Sequence, residues 1–210
     1  MANETETLLR GFAEALERAP AAALESAKIA VNEGAEFAER EGRRRVSQTL
    51  NLSDARVRKD LFLKQRASTG SLDSRISANV RPALATRFGA EQATERASSP
   101  VSRLSGDPSR GIPAGQKGAG SKPWSVLRSG QRKAWRNAFF IKLRGSGAWA
   151  MVARYGSGAG MTDAQDWRQN LEVVQGMSVS QLWGAVREEV GQEAMELANE
   201  RFADELARRL

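Results

Sequence analysis

Helical periodicity in this chain is confined to its two ends, and that distribution decides which architectures are open to it. After Pro20, the residues Leu24, Ala27, Val31, Ala35 and Ala38 recur at helical spacing, flanked by Ile29 and Phe37. The stripe is mostly alanine, and small side chains permit close approach of a neighbour, so this helix is expected to pack tightly. At the other end Val179, Leu182, Trp183, Val186, Val190, Ala194, Leu197, Phe202 and Leu206 form a second stripe. Ser178 and Gln181 open it as a capping box. Gly184 and Gly191 interrupt it, each costing about 1 kcal/mol relative to alanine, which points to close packing or a bend at one of them. Its exposed face carries Glu188, Glu189, Glu193, Glu196, Glu200, Asp204 and Glu205, an acidic surface that could meet a basic one on another copy.

Ahead of Pro20, Thr5 or Thr7 can cap a helical segment with Leu8, Leu9, Phe12, Ala13 and Leu16 on one face, predicting an N-terminal extension over residues 1–19. Between the two ends the period changes. Ser53 can cap a short helix through Asp54, Val57 and Asp60. Leu61, Leu63 and Gln65 then alternate with Phe62, Lys64 and Arg66 as a strand. A second strand is expected over Arg75 to Val80, with Leu84 to Gly89 extending the sheet. Ala138 to Leu143 and Ala148 to Tyr155, joined by Arg144-Gly145-Ser146-Gly147, read as a β-hairpin, and Leu171 to Val174 adds a strand. Residues 90–123 hold four of the six prolines among many Ser and Gly and show neither period. They are expected to form an extended or mobile loop that orders against a partner. Together these predict one α+β domain over 1–210: a long N-terminal helix and a C-terminal helix packed on a small antiparallel sheet containing a hairpin.

The chain contains neither Cys nor His, which excludes disulfides, Cys or His zinc sites, Cys nucleophiles and Ser-His-Asp triads. Carboxylate pairs, Lys or Tyr chemistry and oxygen-ligated metals remain. Gly156, Gly158 and Gly160 are followed by Met161 and Thr162 without the lysine of a phosphate loop, so a flexible connection is the better reading. Asp163 and Asp166 have no third partner in view and read as solvated; Tyr155 beside Arg154 reads as an edge residue. No catalytic residue, metal ligand or cofactor is assigned. The opening MANETETLLR lacks a basic region followed by an apolar run, and no stretch of about 18 apolar residues occurs, so a soluble, unsecreted protein without membrane contact is expected.

The formal charge of +7 is unevenly distributed. Residues 97–150 carry ten cations and one acid, residues 40–66 nine cations and three acids, and the remainder 13 cations against 21 acids. In the first region Trp124 and Trp135 are interleaved with Arg128, Arg132, Lys133 and Arg136, which supplies phosphate contacts and stacking surfaces. In the second, Arg43, Arg44, Arg45, Arg56, Arg58 and Lys59 are the candidate contacts. Trp149 and Trp183 join Trp124 and Trp135 as candidate interface aromatics. Residue chemistry leaves two partners open, nucleic acid or an acidic protein, and no helix-turn-helix, zinc-finger or RNA-recognition pattern decides between them.

Three segments resemble the minor tail protein Z family of long-tailed bacteriophages and prophages, one of a set of tail-completion proteins. They are Ser26-Ala27-Lys28-Ile29-Ala30-Val31-Asn32 through Arg43-Arg44-Arg45-Val46; Leu50-Asn51-Leu52-Ser53-Asp54 through Asp60-Leu61 and on to Lys64-Gln65-Arg66-Ala67-Ser68; and Ala138-Phe139-Phe140, Gly145 to Gly147 and Val152-Ala153-Arg154, with Gln175-Gly176-Met177-Ser178-Val179-Ser180-Gln181 opening the last helix. Their order covers roughly residues 20 to 210. The family often has Gly-Pro-Ser where this chain has Gly176-Met177-Ser178, and the 90–123 insertion departs from it. The resemblance implies a structural virion protein, not an enzyme. It would complete the top of a tail and join it to the head, as a homohexameric ring around the DNA path. Its neighbours would be a tail terminator, tube or head-tail connector, with passing contact to DNA. It implies a place in the tail or neck of the virion, and in the host cytoplasm during assembly.

Overall fold

The computed structural model describes residues 19–98, 106–108, 111–154 and 171–209. The expected N-terminal helical segment, the glycine loop at 156–160 and the pair Asp163 and Asp166 lie outside these residues. The chain divides into two compact units, one built from residues up to 46 with 54–80 and 179 onward, the other from 47–53 and 81–178.

The first unit contains α1 (Pro20–Thr49, whose last residues belong with the second unit), α2 (Asp54–Asp60), the strands β1 (Leu61–Gln65) and β2 (Arg75–Ala78), and α3 (Val179–Ala207). The buried face of α1 is made of Ala23, Ser26, Ala27, Ala30, Gly34, Ala35, Ala38, Gly42 and Val46. That smooth face lets α3 come close. A Cβ at Gly34 would lie 2.9 Å from the Ala194 carbonyl oxygen and 3.1 Å from the Ala198 Cβ, and one at Gly42 would overlap the Trp183 ring. Ala38, Val190 and Ala194 form the buried centre, with Phe37, Ile76 and Trp183 packed around it. The close approach expected at Gly184 or Gly191 is therefore on the other helix: among the described residues nothing lies within 4 Å of a Cβ built at either.

β1 and β2 pair antiparallel, Leu61 opposite Ala78 and Leu63 opposite Ile76, with an irregularity between Leu63 and Gln65. A second face of α1 serves the backbone of β1 and of the residues just after it. Asn32 donates to the Ala67 carbonyl at 3.0 Å and accepts from the Ala67 amide at 2.8 Å. Glu39 accepts from the Leu63 amide at 2.7 Å, and Arg43 donates to the Leu61 carbonyl at 2.8 Å. Positions 32, 39 and 43 share one helical face, so three side chains satisfy backbone groups that a further strand would otherwise take.

The second unit contains β3 (Gln92–Arg96), β4 (Gln116–Ser121), β5 (Ala138–Lys142), β6 (Trp149–Arg154) and β7 (Leu171–Val173). The β5–β6 hairpin and its third strand form as expected, Phe140 opposite Met151 and Val152 opposite Val173. Among the described residues there is not one sheet but three small antiparallel ones. Two further expectations are corrected. Ala85–Phe88 is a 3-10 helix closed by Gly89 at φ 82°, not sheet; only Leu84 makes a strand-like bridge, to Gln175. Residues 90–123, read as lacking periodic structure, hold the paired strands β3 and β4. Phe88 is fully buried, and Gly176 leaves room for its ring.

Candidate functional site

The basic residues of 40–66 are largely engaged within their own unit. Arg43 bonds the carbonyls of Leu61 and Arg58 and pairs with Glu39 at 2.7 Å. Glu41 accepts from Arg44 at 2.7 and 2.5 Å and from Arg45 at 2.8 Å. Those bonds, Arg44 first and Arg45 second, hold its carboxyl down at about 2 and raise both guanidinium groups. Arg45 also reaches Glu189 at 2.7 Å and Glu193 at 2.5 Å, so two acids of the α3 face share one guanidinium within the chain. Arg56 pairs at 2.6 Å with buried Asp60, which also accepts from Asn79 at 3.1 Å. Arg58 and Lys59 are exposed, and no ion pair reaches them among the described residues.

In the second unit Arg128 has a structural job. Its guanidinium donates to the carbonyls of Ser47 at 2.6 Å, Leu50 at 3.2 Å and Leu52 at 3.4 Å, and its amide donates to Thr49. It caps the C-terminal end of α1, where carbonyls lack helical partners and the dipole favours a cation.

The two tryptophans interleaved with cations do come together. Residues 121–124 pair with 133–135: Trp124 and Lys133 exchange backbone bonds, the Ser121 amide donates to the Trp135 carbonyl, and the Trp135 amide donates to the Ser121 hydroxyl. The Trp124 and Trp135 rings lie 6.5 Å apart, tilted 40°. They line an open recess of about 380 Å³ with Leu127, Gly130, Gln131 and Lys133, and no acid lines it among the described residues. Trp124 is 8% exposed, and its Nε1–H has no acceptor among the described residues. Arg132, Lys133 and Arg136 are exposed, and no ion pair reaches them among the described residues.

The other two candidate aromatics are placed elsewhere. Trp149 sits on β6 opposite Lys142, and its carbonyl accepts from Thr86 at 2.7 Å. Trp183 packs against α1 at Gly42. Sequence reasoning missed Met195, a large apolar side chain 64% exposed on α3. The signal was available: Met195 falls outside the apolar stripe of that helix. Among the described residues no group of three or more His, Cys, Asp or Glu could hold a metal ion, and no helix is long and apolar enough to cross a membrane.

The sequence profile of a family described as prophage minor tail protein Z matches residues 10–210. No curated protein and no solved structure matches the chain significantly.

Proposed function

Since the chain belongs to the prophage minor tail protein Z family and is thus a component of a phage tail, we propose that it completes the top of the tail and joins it to the head. The family match over almost the whole chain carries this reading. Copies form a ring around the DNA path, six in number if the ring follows a six-fold tail tube, in the neck of the virion after assembly in the host cytoplasm. Their partners are one another and an adjoining terminator, tube or connector protein. The work is assembly rather than catalysis, which suits a sequence with no Cys and no His.

Exposed charge of both signs supports the ring. Glu188, Glu196, Glu200 and Asp204 remain exposed on α3, as do Arg58 and Lys59 near β1 and Arg132, Lys133 and Arg136 beside the tryptophan recess. A ring joins one face of a subunit to a different face of the next, and opposite charges on those faces set register and partner choice. The three cations near the recess also favour a second reading, passing contact with DNA phosphates. The deciding experiment builds tails from a phage or prophage lacking this gene and supplies the chain back. Tails without it are expected to leave heads unjoined, with joining restored on addition; normal joining in its absence sinks the proposal. A density map of the neck then gives copy number and position.

A further inference from the structure

Two features of this chain are complementary in chemistry, one on α3 and one beside the paired segments 121–124 and 133–135. The first is on α3, where Met195 projects among polar neighbours. Glu188 lies two turns before it on the same face and Glu196 beside it, and both are exposed. Among the described residues this methionine stays 64% exposed on an acidic face. The second is the recess between Trp124 and Trp135, lined also by Val126, Leu127 and a lysine, with no acid among its described lining residues and with Arg132 and Arg136 adjoining in sequence.

We infer that Met195 of one copy seats in the Trp124–Trp135 recess of the next, with Glu188 and Glu196 set against Arg132, Lys133 and Arg136. A thioether is suited to an aromatic-walled hollow because sulfur contacts ring edges favourably and the unbranched side chain adapts to its shape. The surrounding ion pairs are exposed, so they contribute orientation more than affinity. A nucleobase fits less well, because stacking needs an open ring face and Trp124 is 92% covered, being only 8% exposed. The contact is heterologous, so repetition closes a ring or extends a filament. The inference rests on the reading that copies of this chain assemble with one another.

The absence of native cysteine allows a clean test. In the full chain, Met195→Cys and Gln131→Cys are made singly and together, and mild oxidation is applied both to the purified protein and to tails containing it. Mixing the two single variants is expected to give a dimer carrying one of each, and the double variant a ladder of linked copies. Cross-links confined within one chain, or none in assembled tails, overturn the inference. A second arm reverses charge: Arg132→Glu with Lys133→Glu should weaken self-association about tenfold, and adding Glu188→Lys with Glu196→Lys should restore most of it, the signature of direct coupling. Circular dichroism confirms that each variant folds. Quenching of Trp135 by a single-stranded oligonucleotide, with steep salt dependence and no effect of the α3 reversal, also overturns it. If tails still hold a ring of this chain but these cross-links fail, the ring reading survives and the contact lies elsewhere.

Discussion

At Gly42 an added methyl group would overlap the Trp183 ring, whereas at Gly191 it would meet nothing within 4 Å. The two glycines therefore respond oppositely to alanine. Gly42→Ala should destabilise the fold by about 1–3 kcal/mol through overpacking, while Gly191→Ala should stabilise it by up to about 1 kcal/mol through helix propensity. Urea unfolding of both variants checks this, and equal effects at the two sites would refute the packing described. Glu41 makes a pH-dependent contribution. Its carboxyl titrates at about 2 in the fold against a reference of 4.5, so its stabilisation is present above 4.5 and is lost as pH falls toward 2. Glu41→Gln should lower the unfolding midpoint at pH 7, with the difference from the parent closing by about pH 2. The alanine stripe of α1 was legible because small residues recur at helical spacing. The roles of Arg43, Arg45, Arg56 and Arg128 were not, since the groups that engage them include residues from 4 to 148 positions away.

Among the elements, the end of α1 depends on a residue far along the chain. Arg128→Ala should remove three carbonyl contacts and cost about 1–2 kcal/mol by analogy with capping losses. Thermal melting measures it, and an unchanged midpoint would show the cap to be dispensable. The β5–β6 hairpin was readable because Ala-Phe-Phe-Ile-Lys and Trp-Ala-Met-Val-Ala-Arg are apolar runs around a glycine turn. The β3–β4 pair was not. Its strands, Gln-Ala-Thr-Glu-Arg and Gln-Lys-Gly-Ala-Gly-Ser, bury few side chains and present no alternating apolar face. Their pairing rests on backbone bonds, a Gln92 side-chain bond to the Gly120 carbonyl and an exposed Lys117–Glu95 pair, none of which an apolar pattern reports. Likewise Leu84 to Gly89 has apolar residues at strand-like positions, but Gly89 in a left-handed conformation closes a 3-10 turn there.

For the whole molecule, the charge of +7 was legible and its deployment only partly so. Of the cations read as contacts, those at 43, 44, 45, 56 and 128 have partners within the chain, leaving Arg58, Lys59, Arg132, Lys133 and Arg136 exposed. Three neighbouring cations give a duplex few phosphates to neutralise. DNA affinity of the isolated chain should accordingly be weak, with a slope of about −3 in log affinity against log salt; fluorescence anisotropy with a labelled duplex checks it, and a slope near −8 would favour the DNA-binding reading. The side chains of Asn32, Glu39 and Arg43 on the backbone at 61–67 carry a last consequence. An alanine face alone is a poor index, because small residues offer no ridges to stop one helix sliding along another. Three hydrogen-bonded teeth remove that freedom, since a slip of one residue turns the helix by about 100° and shifts it by about 1.5 Å, disengaging all three at once. A single-residue insertion between Asn32 and Glu39 should thus be far more damaging than replacing any one tooth, and changes in this helix's length are expected to be tolerated only outside the span from 32 to 43.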